Sequence, residues 1–227
     1  MSADCATTQS RATLSPLARS PRASPGTGHN RRMSISPSRG SHAGGPPHVG
    51  MEPSPWIVRF AHLIAPGTRV LDLAAGRGRH ARFLAGRGCP VLAVDRDPAA
   101  LAVAGGAAGI ETRTVDLEAG SWPLPGERFG AIVVANYLHR PLFPHLLAAL
   151  TDDGVLLYET FARGNEAFGR PANPDFLLEP AELLRVVAGR LTVVAFEQGA
   201  VQGAVVQRVA AVGPGCRWPP PLAASRP

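Results

Sequence analysis

Short apolar runs recur along the chain at Val70–Ala74, Val91–Asp95, Thr112–Asp116, Ala131–Asn136 and Val155–Phe161, with Ala- and Leu-rich stretches set between most of them. Strands joined by helical crossovers must lie parallel in one sheet, with the helices on its two faces. The patterns around 79–85, 98–105, 142–150 and 180–188 supply those helices, and Pro98 and Pro180 sit where a first helical turn tolerates proline. AIVVAN and VLLYETF are apolar without alternation, as burial on both faces requires. The last two runs break the pattern. LTVVAFEQ and AVVQRVAAV are separated only by GAVQG, which is too short for a crossover, so they are expected to form an antiparallel hairpin. The chain is therefore expected to fold as an α/β protein with a doubly wound, mostly parallel, Rossmann-like sheet that ends in an antiparallel hairpin.

This pattern begins near residue 51. Residues 1–50 are rich in Ser, Pro, Gly and Arg and poor in long apolar side chains. Such a segment cannot bury enough surface to offset the entropy of ordering it, so a disordered tail is expected there. A transit peptide, a nucleic-acid-binding tail and an upstream start with Met51 as the true beginning are three open readings of it. A Pro-rich tail is likewise expected over 214–227, which leaves 51–213 as the folded domain. The tail also carries +5 of the formal net charge of +6. The near-neutral remainder does not support nucleic-acid binding despite a pI near 10.4. No apolar run of membrane-spanning length exists, and three isolated cysteines form neither a metal motif nor a disulfide framework. A cytoplasmic protein with no metal is the expectation; the oligomeric state is left open.

In open parallel sheets, ligands sit at the carboxyl ends of the strands. The first strand ends in VLDLAAGRGRHARFLA, with Asp72 shortly before a turn containing Ala74, Ala75, Gly76 and Gly78. Glycines let a ligand approach the backbone. The second strand ends at Asp95, followed by Arg96, where a carboxylate can accept both hydroxyls of a ribose. The third ends in TVDLE, with Asp116 and Leu117. Two cofactors fit. Gly76, Gly78 and Ala81 satisfy the dinucleotide fingerprint, so an NAD(P)-binding oxidoreductase is one alternative. An acid next to the turn suits instead a cofactor with a cationic amino-acid portion, S-adenosyl-L-methionine, and the terminal hairpin favours that choice.

With VLDLAAGRGRHARFLA, VLAVDRDP, TVDLE and FGAIVVANYLH in place, residues 66–212 resemble the class I S-adenosylmethionine-dependent methyltransferases, and the small bacterial, tellurite-resistance type in size. The resemblance implies a seven-stranded methyltransferase fold and transfer of a methyl group to an unidentified, small-molecule acceptor. It further implies that Asp72 and the backbone of Ala74–Gly78 hold the methionine portion. Asp95, with Arg96 beside it, would bind the ribose, Asp116 and Leu117 the adenine, and Asn136 would lie beside the methyl group. Ala74 stands where the family has its first glycine. A binding-only protein with the same fold is a further alternative.

The acceptor side is less determined. Asn136 is followed by Tyr137 and not by the prolines of amino-group methyltransferases, which argues against an exocyclic amine of DNA, RNA or protein as acceptor. His139 is a candidate general base, with Tyr137 beside it as a second catalytic candidate; the alternative is that His139 and Arg140 orient the next helix. Past the fifth strand, an irregular stretch of the kind that forms lids or substrate loops contributes further acceptor candidates. These are Glu159, Asn165, Arg170 and Asn173, together with Arg140.

Overall fold

Seven strands form one sheet in the computed structural model, which describes residues 51–221. The expected tail over 1–50 lies outside the described residues, as do 222–227. The elements run α1 (Pro55–Phe60), β1 (Val70–Leu73), α2 (Arg79–Ala85), β2 (Val91–Asp95), α3 (Pro98–Ala104), β3 (Ile110–Thr114), β4 (Phe129–Ala135), α4 (Phe143–Ala149), β5 (Leu150–Phe161), α5 (Glu182–Val187), β6 (Thr192–Val201) and β7 (Ala204–Val212). The strand order is β3-β2-β1-β4-β5-β7-β6. β1 lies parallel to both β2 and β4, and β5 parallel to β4, while β7 runs antiparallel to both β5 and β6. β7 is thus the one reversed strand, inserted between β5 and β6. The order turns back between β1 and β4, which is the switch point where open sheets of this kind receive ligands.

Alternation along the strands builds two apolar layers. Leu71, Leu73, Ile132, Val134, Leu156, Tyr158 and Val209 face one side and pack with Leu146 of α4 and Leu183 and Val187 of α5. Val70, Ala93, Val133, Val155, Leu157 and Ala210 face the other, against α1, α2 and α3. The helices are only six or seven residues long, too short to hold together in isolation. Burial holds them in place. α1, which the apolar pattern does not reveal, buries Trp56, Ile57 and Phe60, worth about 1.5–3 kcal/mol each. Its start is marked by the Ser54 side chain, which accepts the Trp56 amide, and by Pro55 in the first turn.

Several boundaries depart from the expected ones. β3 runs Ile110–Thr114, so Asp116 lies two residues past its end, and β4 starts at Phe129. β5 begins at Leu150, before the apolar run that announces it. The hairpin loop is two residues, Gln202 and Gly203, both at positive φ, so 199–201, expected in the connection, belong to β6. The stretch from 214, expected as part of a tail, lies against the domain as far as 221. There the Gly215 amide donates to Asp152 O, the Cys216 thiol lies 2.9 Å from Asp153 O, and a His62 ring nitrogen lies 2.8 Å from Pro221 O.

Candidate functional site

The carboxyl ends of β1, β2, β3 and β4 meet around the switch point. The turn after β1 is tightly held. Ala74, Gly76 and Gly78 all have positive φ, at 54°, 53° and 70°. Two of the three are glycines, which adopt this backbone freely; Ala74 does so with strain of the kind that gathers at functional sites. Gly78 is required for a second reason, because a Cβ there would sit 2.3 Å from the Cβ of Ala104 in α3. The Ala75 amide donates to Val94 O and the Gly78 amide to Ala75 O, each at 2.9 Å, so the turn is stitched to β2.

Asp95 reaches this turn. Its Oδ2 accepts the Gly76 amide at 2.8 Å and its Oδ1 the Asp97 amide at 3.0 Å. Asp97 in turn caps α3 through the amides of Ala99 and Ala100. Arg96 is exposed between them. At the end of β3, Asp116 accepts the Glu118 amide at 2.9 Å, next to the buried Leu117. Asn136, after β4, is exposed and also left-handed, with φ 57° and its amide donated to Glu159 O. Strained backbone thus marks the ends of both strands that flank the switch point.

Asp72 is placed differently from the other acids. It is 1% exposed, and its Oδ2 accepts the Ala81 amide in the first turn of α2. Burial pushes its carboxyl up to about 7, partly offset by the Ala81 hydrogen bond. His80 lies beside it, 3% exposed, with Nδ1 4.0 Å from Asp72 Oδ1 and Nε2 accepting the Ser54 amide at 3.2 Å. Burial drives this imidazole down to about 3, so it is neutral. Neither His80 nor its partner stands out in the sequence, since Ser54 is 26 residues away.

On the acceptor side, the Tyr158 hydroxyl donates to Tyr137 O, and the Tyr137 hydroxyl lies 3.5 Å from Glu118 across the sheet end. Burial and the neighbouring Glu118 raise the Tyr137 hydroxyl above its usual range, so it stays protonated. His139 is half-buried and precedes a 3-10 turn without capping it. Three of the acceptor candidates are engaged within the protein. Arg140 binds Glu182 and the carbonyls of Asp175 and Leu177. Glu159 is buried with its Oε2 3.2 Å from Arg208 Nε. Asn165 is buried between Pro171 O and the Val205 amide. Asn173 caps a 3-10 turn through the Asp175 amide, and Arg170 is exposed. Arg208, Glu182 and Gln207, the partners that engage this side, carry no sequence signal beyond being polar residues in apolar runs. Among the described residues no group of three or more His, Cys, Asp or Glu is arranged to hold a metal.

A sheet of order 3-2-1-4-5-7-6 with a reversed strand β7, and a glycine turn facing a strand-end acid, defines the class I methyltransferase architecture. The dinucleotide fold, with six strands in the order 3-2-1-4-5-6, has no such inserted strand. A family model described as a methyltransferase domain matches residues 70–153, the stretch that holds the glycine turn and the strand-end acids. Solved structures share the fold at low identity. TehB from Haemophilus influenzae is 18% identical with a TM-score of 0.57, the match covering 69% of this chain and 61% of that one. A methyltransferase from Mesorhizobium loti, described as S-adenosylmethionine dependent, is also 18% identical with a TM-score of 0.57, over 72% of this chain and 100% of that one. Magnesium protoporphyrin IX methyltransferase from Synechocystis, solved with S-adenosylhomocysteine bound, is 15% identical with a TM-score of 0.54, over 70% and 78%. No curated relative matches the sequence.

Proposed function

We propose that this protein moves the methyl group of S-adenosylmethionine to a small-molecule acceptor, using a site at the ends of β1 to β4. The observation that carries this reading is the fit of the strand ends to the cofactor's three parts. The left-handed turn at Ala74–Gly78 exposes backbone to the methionine portion, with Asp72 holding it from beneath. Asp95, already oriented by the Gly76 and Asp97 amides, accepts the ribose hydroxyls, with Arg96 beside it. Asp116 and Leu117 flank the adenine, the acid reading its amino edge and the leucine its face. Asn136 lies at the reacting end, with Tyr137 and His139 next in the chain.

When bound, the cofactor supplies an activated methyl on a sulfonium, and displacement there needs alignment and exclusion of water more than a strong base. Tyr137, kept neutral, orients an acceptor by hydrogen bonding, and His139 is the candidate base beside it. The small-molecule class is supported by the near-neutral charge of residues 51–227 and by the acceptor printed in the name of the Synechocystis relative. Arg170 is the exposed cation offered to an acceptor from the loop after β5; Arg140, Glu159 and Asn165 shape that loop from within. No helix among the described residues is long and apolar enough to cross a membrane, and we assign the domain, 51–213, to the cytoplasm. Calorimetry on the full chain should show micromolar binding of S-adenosylhomocysteine and none of NAD; the opposite result overturns the reading. Transfer of labelled methyl groups into a whole-cell extract then identifies the acceptor, and label appearing only in protein or nucleic acid excludes the proposed class.

A further inference from the structure

The glycine turn is held by a carboxylate at each end, Asp95 on the Gly76 amide and Asp72 on the Ala81 amide. Asp95 is partly exposed, whereas Asp72 is sealed under the turn. A buried carboxylate keeps its charge only if dipoles or charges face it, and once neutral it holds an amide less firmly. The groups that face Asp72 are few: the Ala81 amide, the Arg79 side chain from α2, Asp95 from β2, and His80.

We propose that His80 is a positioning residue for cofactor binding, acting through Asp72. Its Nε2 accepts the Ser54 amide, which leaves the ring proton on Nδ1. Nδ1 lies 4.0 Å from Asp72 Oδ1, beyond hydrogen-bond reach but near enough for its partial positive charge to favour a carboxylate there, while the other oxygen accepts the Ala81 amide. The chain Ser54, His80, Asp72, Ala81 joins the cap of α1 to the first turn of α2, and so fixes the backbone on which the methionine portion rests. The ring nitrogens do separate work, one anchoring α1 and the other holding the turn. This inference rests on the cofactor reading given above.

Three variants of the full chain separate the two nitrogens. His80→Leu should weaken S-adenosylhomocysteine binding tenfold or more and lower the melting temperature. His80→Asn keeps a donor at the Nδ1 position and should recover most of the affinity but not the melting temperature. His80→Gln keeps an acceptor at the Nε2 position and should recover the melting temperature but not the affinity. A general structural role would make affinity and melting temperature recover together, and that result overturns the proposal, as does unchanged affinity in His80→Leu. Should His80→Leu fail to fold, imidazole nitrogen NMR on the wild type decides the relay. The Nδ1–H tautomer persisting at pH 5 supports it, and an Nε2–H tautomer or a charged ring overturns it. Failure of the wild type to bind S-adenosylhomocysteine overturns the cofactor reading instead, and the NMR result still stands apart from it.

Discussion

The two halves of the sheet use their polar residues in opposite ways. In the β3-β2-β1-β4 half, carboxylates sit at the strand ends and bind main-chain amides of the turns: Asp72 to Ala81, Asp95 to Gly76, Asp116 to Glu118. In the β5-β7-β6 half, polar side chains bind across strands or back onto the irregular loop. Arg208 bridges Glu159 and Glu197, and Gln207 ties together the Leu183 amide, Glu179 O and Gln198. One half fixes the backbone of its turns; the other locks its own loop in place. A polar residue at a strand end is thus informative about function chiefly where no neighbouring strand or loop competes for it.

Several substitutions sharpen or break this contrast. Gln207→Leu leaves the Leu183 amide and Glu179 O unpaired and should cost about 4 kcal/mol of stability in chemical denaturation, with the affinity of the folded protein for S-adenosylhomocysteine within twofold of wild type. Equal damage to binding would erase the distinction between the halves. Asp95→Ala should do the reverse. Its domain stays folded by circular dichroism, while cofactor affinity falls about 100-fold, the loss of two hydrogen bonds to a charged group. Gly78→Ala, with its Cβ driven against Ala104, should lose about 2 kcal/mol from the cofactor half.

The pH dependence of stability offers a finer test. Folding raises the Asp72 carboxyl from 3.8 to about 7, so its contribution is full below the unfolded value and is lost as pH rises toward 7. Folding lowers the His80 imidazole from 6.5 to about 3, so its contribution is full above 6.5 and is lost as pH falls. Across the shared window, from about pH 4 to 6.5, the two slopes oppose each other, and the pair should leave stability nearly flat. Removing the imidazole should unmask a decline with rising pH that approaches about 1.4 kcal/mol per unit. A decline already present in the wild type would show that the pair is not balanced. The smallest effect belongs to Ala74→Gly, which relieves a left-handed alanine and should stabilise by about 1 kcal/mol or less in the same denaturation assay.

Much of the architecture was legible because its causes are local. The helix expected over 79–85 and the strand expected over 91–95 coincide with α2 and β2. Apolar runs locate the parallel strands, and a connection too short for a crossover forces the hairpin. α1 escaped because six residues make fewer than two turns, too few for the amphipathic period to repeat, and only the Ser54-Pro55 pair announces it. The positions of the strand-end acids were legible for the same local reason, but the direction in which each points was not. Asp72, Asp95 and Asp116 look alike as sequence. Burial under α2 separates the first from the others, and burial is decided by residues as distant as Ser54. Arg140, Glu159 and Asn165 looked available for an acceptor because pairing register is not local: Glu159 faces Arg208 only when β5 and β7 align as they do, and Val205 meets Asn165 from 40 residues away.

The reversal of β7 has a practical corollary for anyone who wishes to attach this protein to a surface. Because that strand descends, the described residues finish at the pole where the parallel strands begin, with Gly215 and Cys216 against Asp152 and Asp153. The first described residues lie toward the opposite pole, where the Ser54 amide donates to His80 beside the glycine turn. A handle joined after residue 221 leaves the carboxyl ends of β1 to β4 turned to the bulk liquid, whereas one joined just before residue 51 starts at the rim of that face.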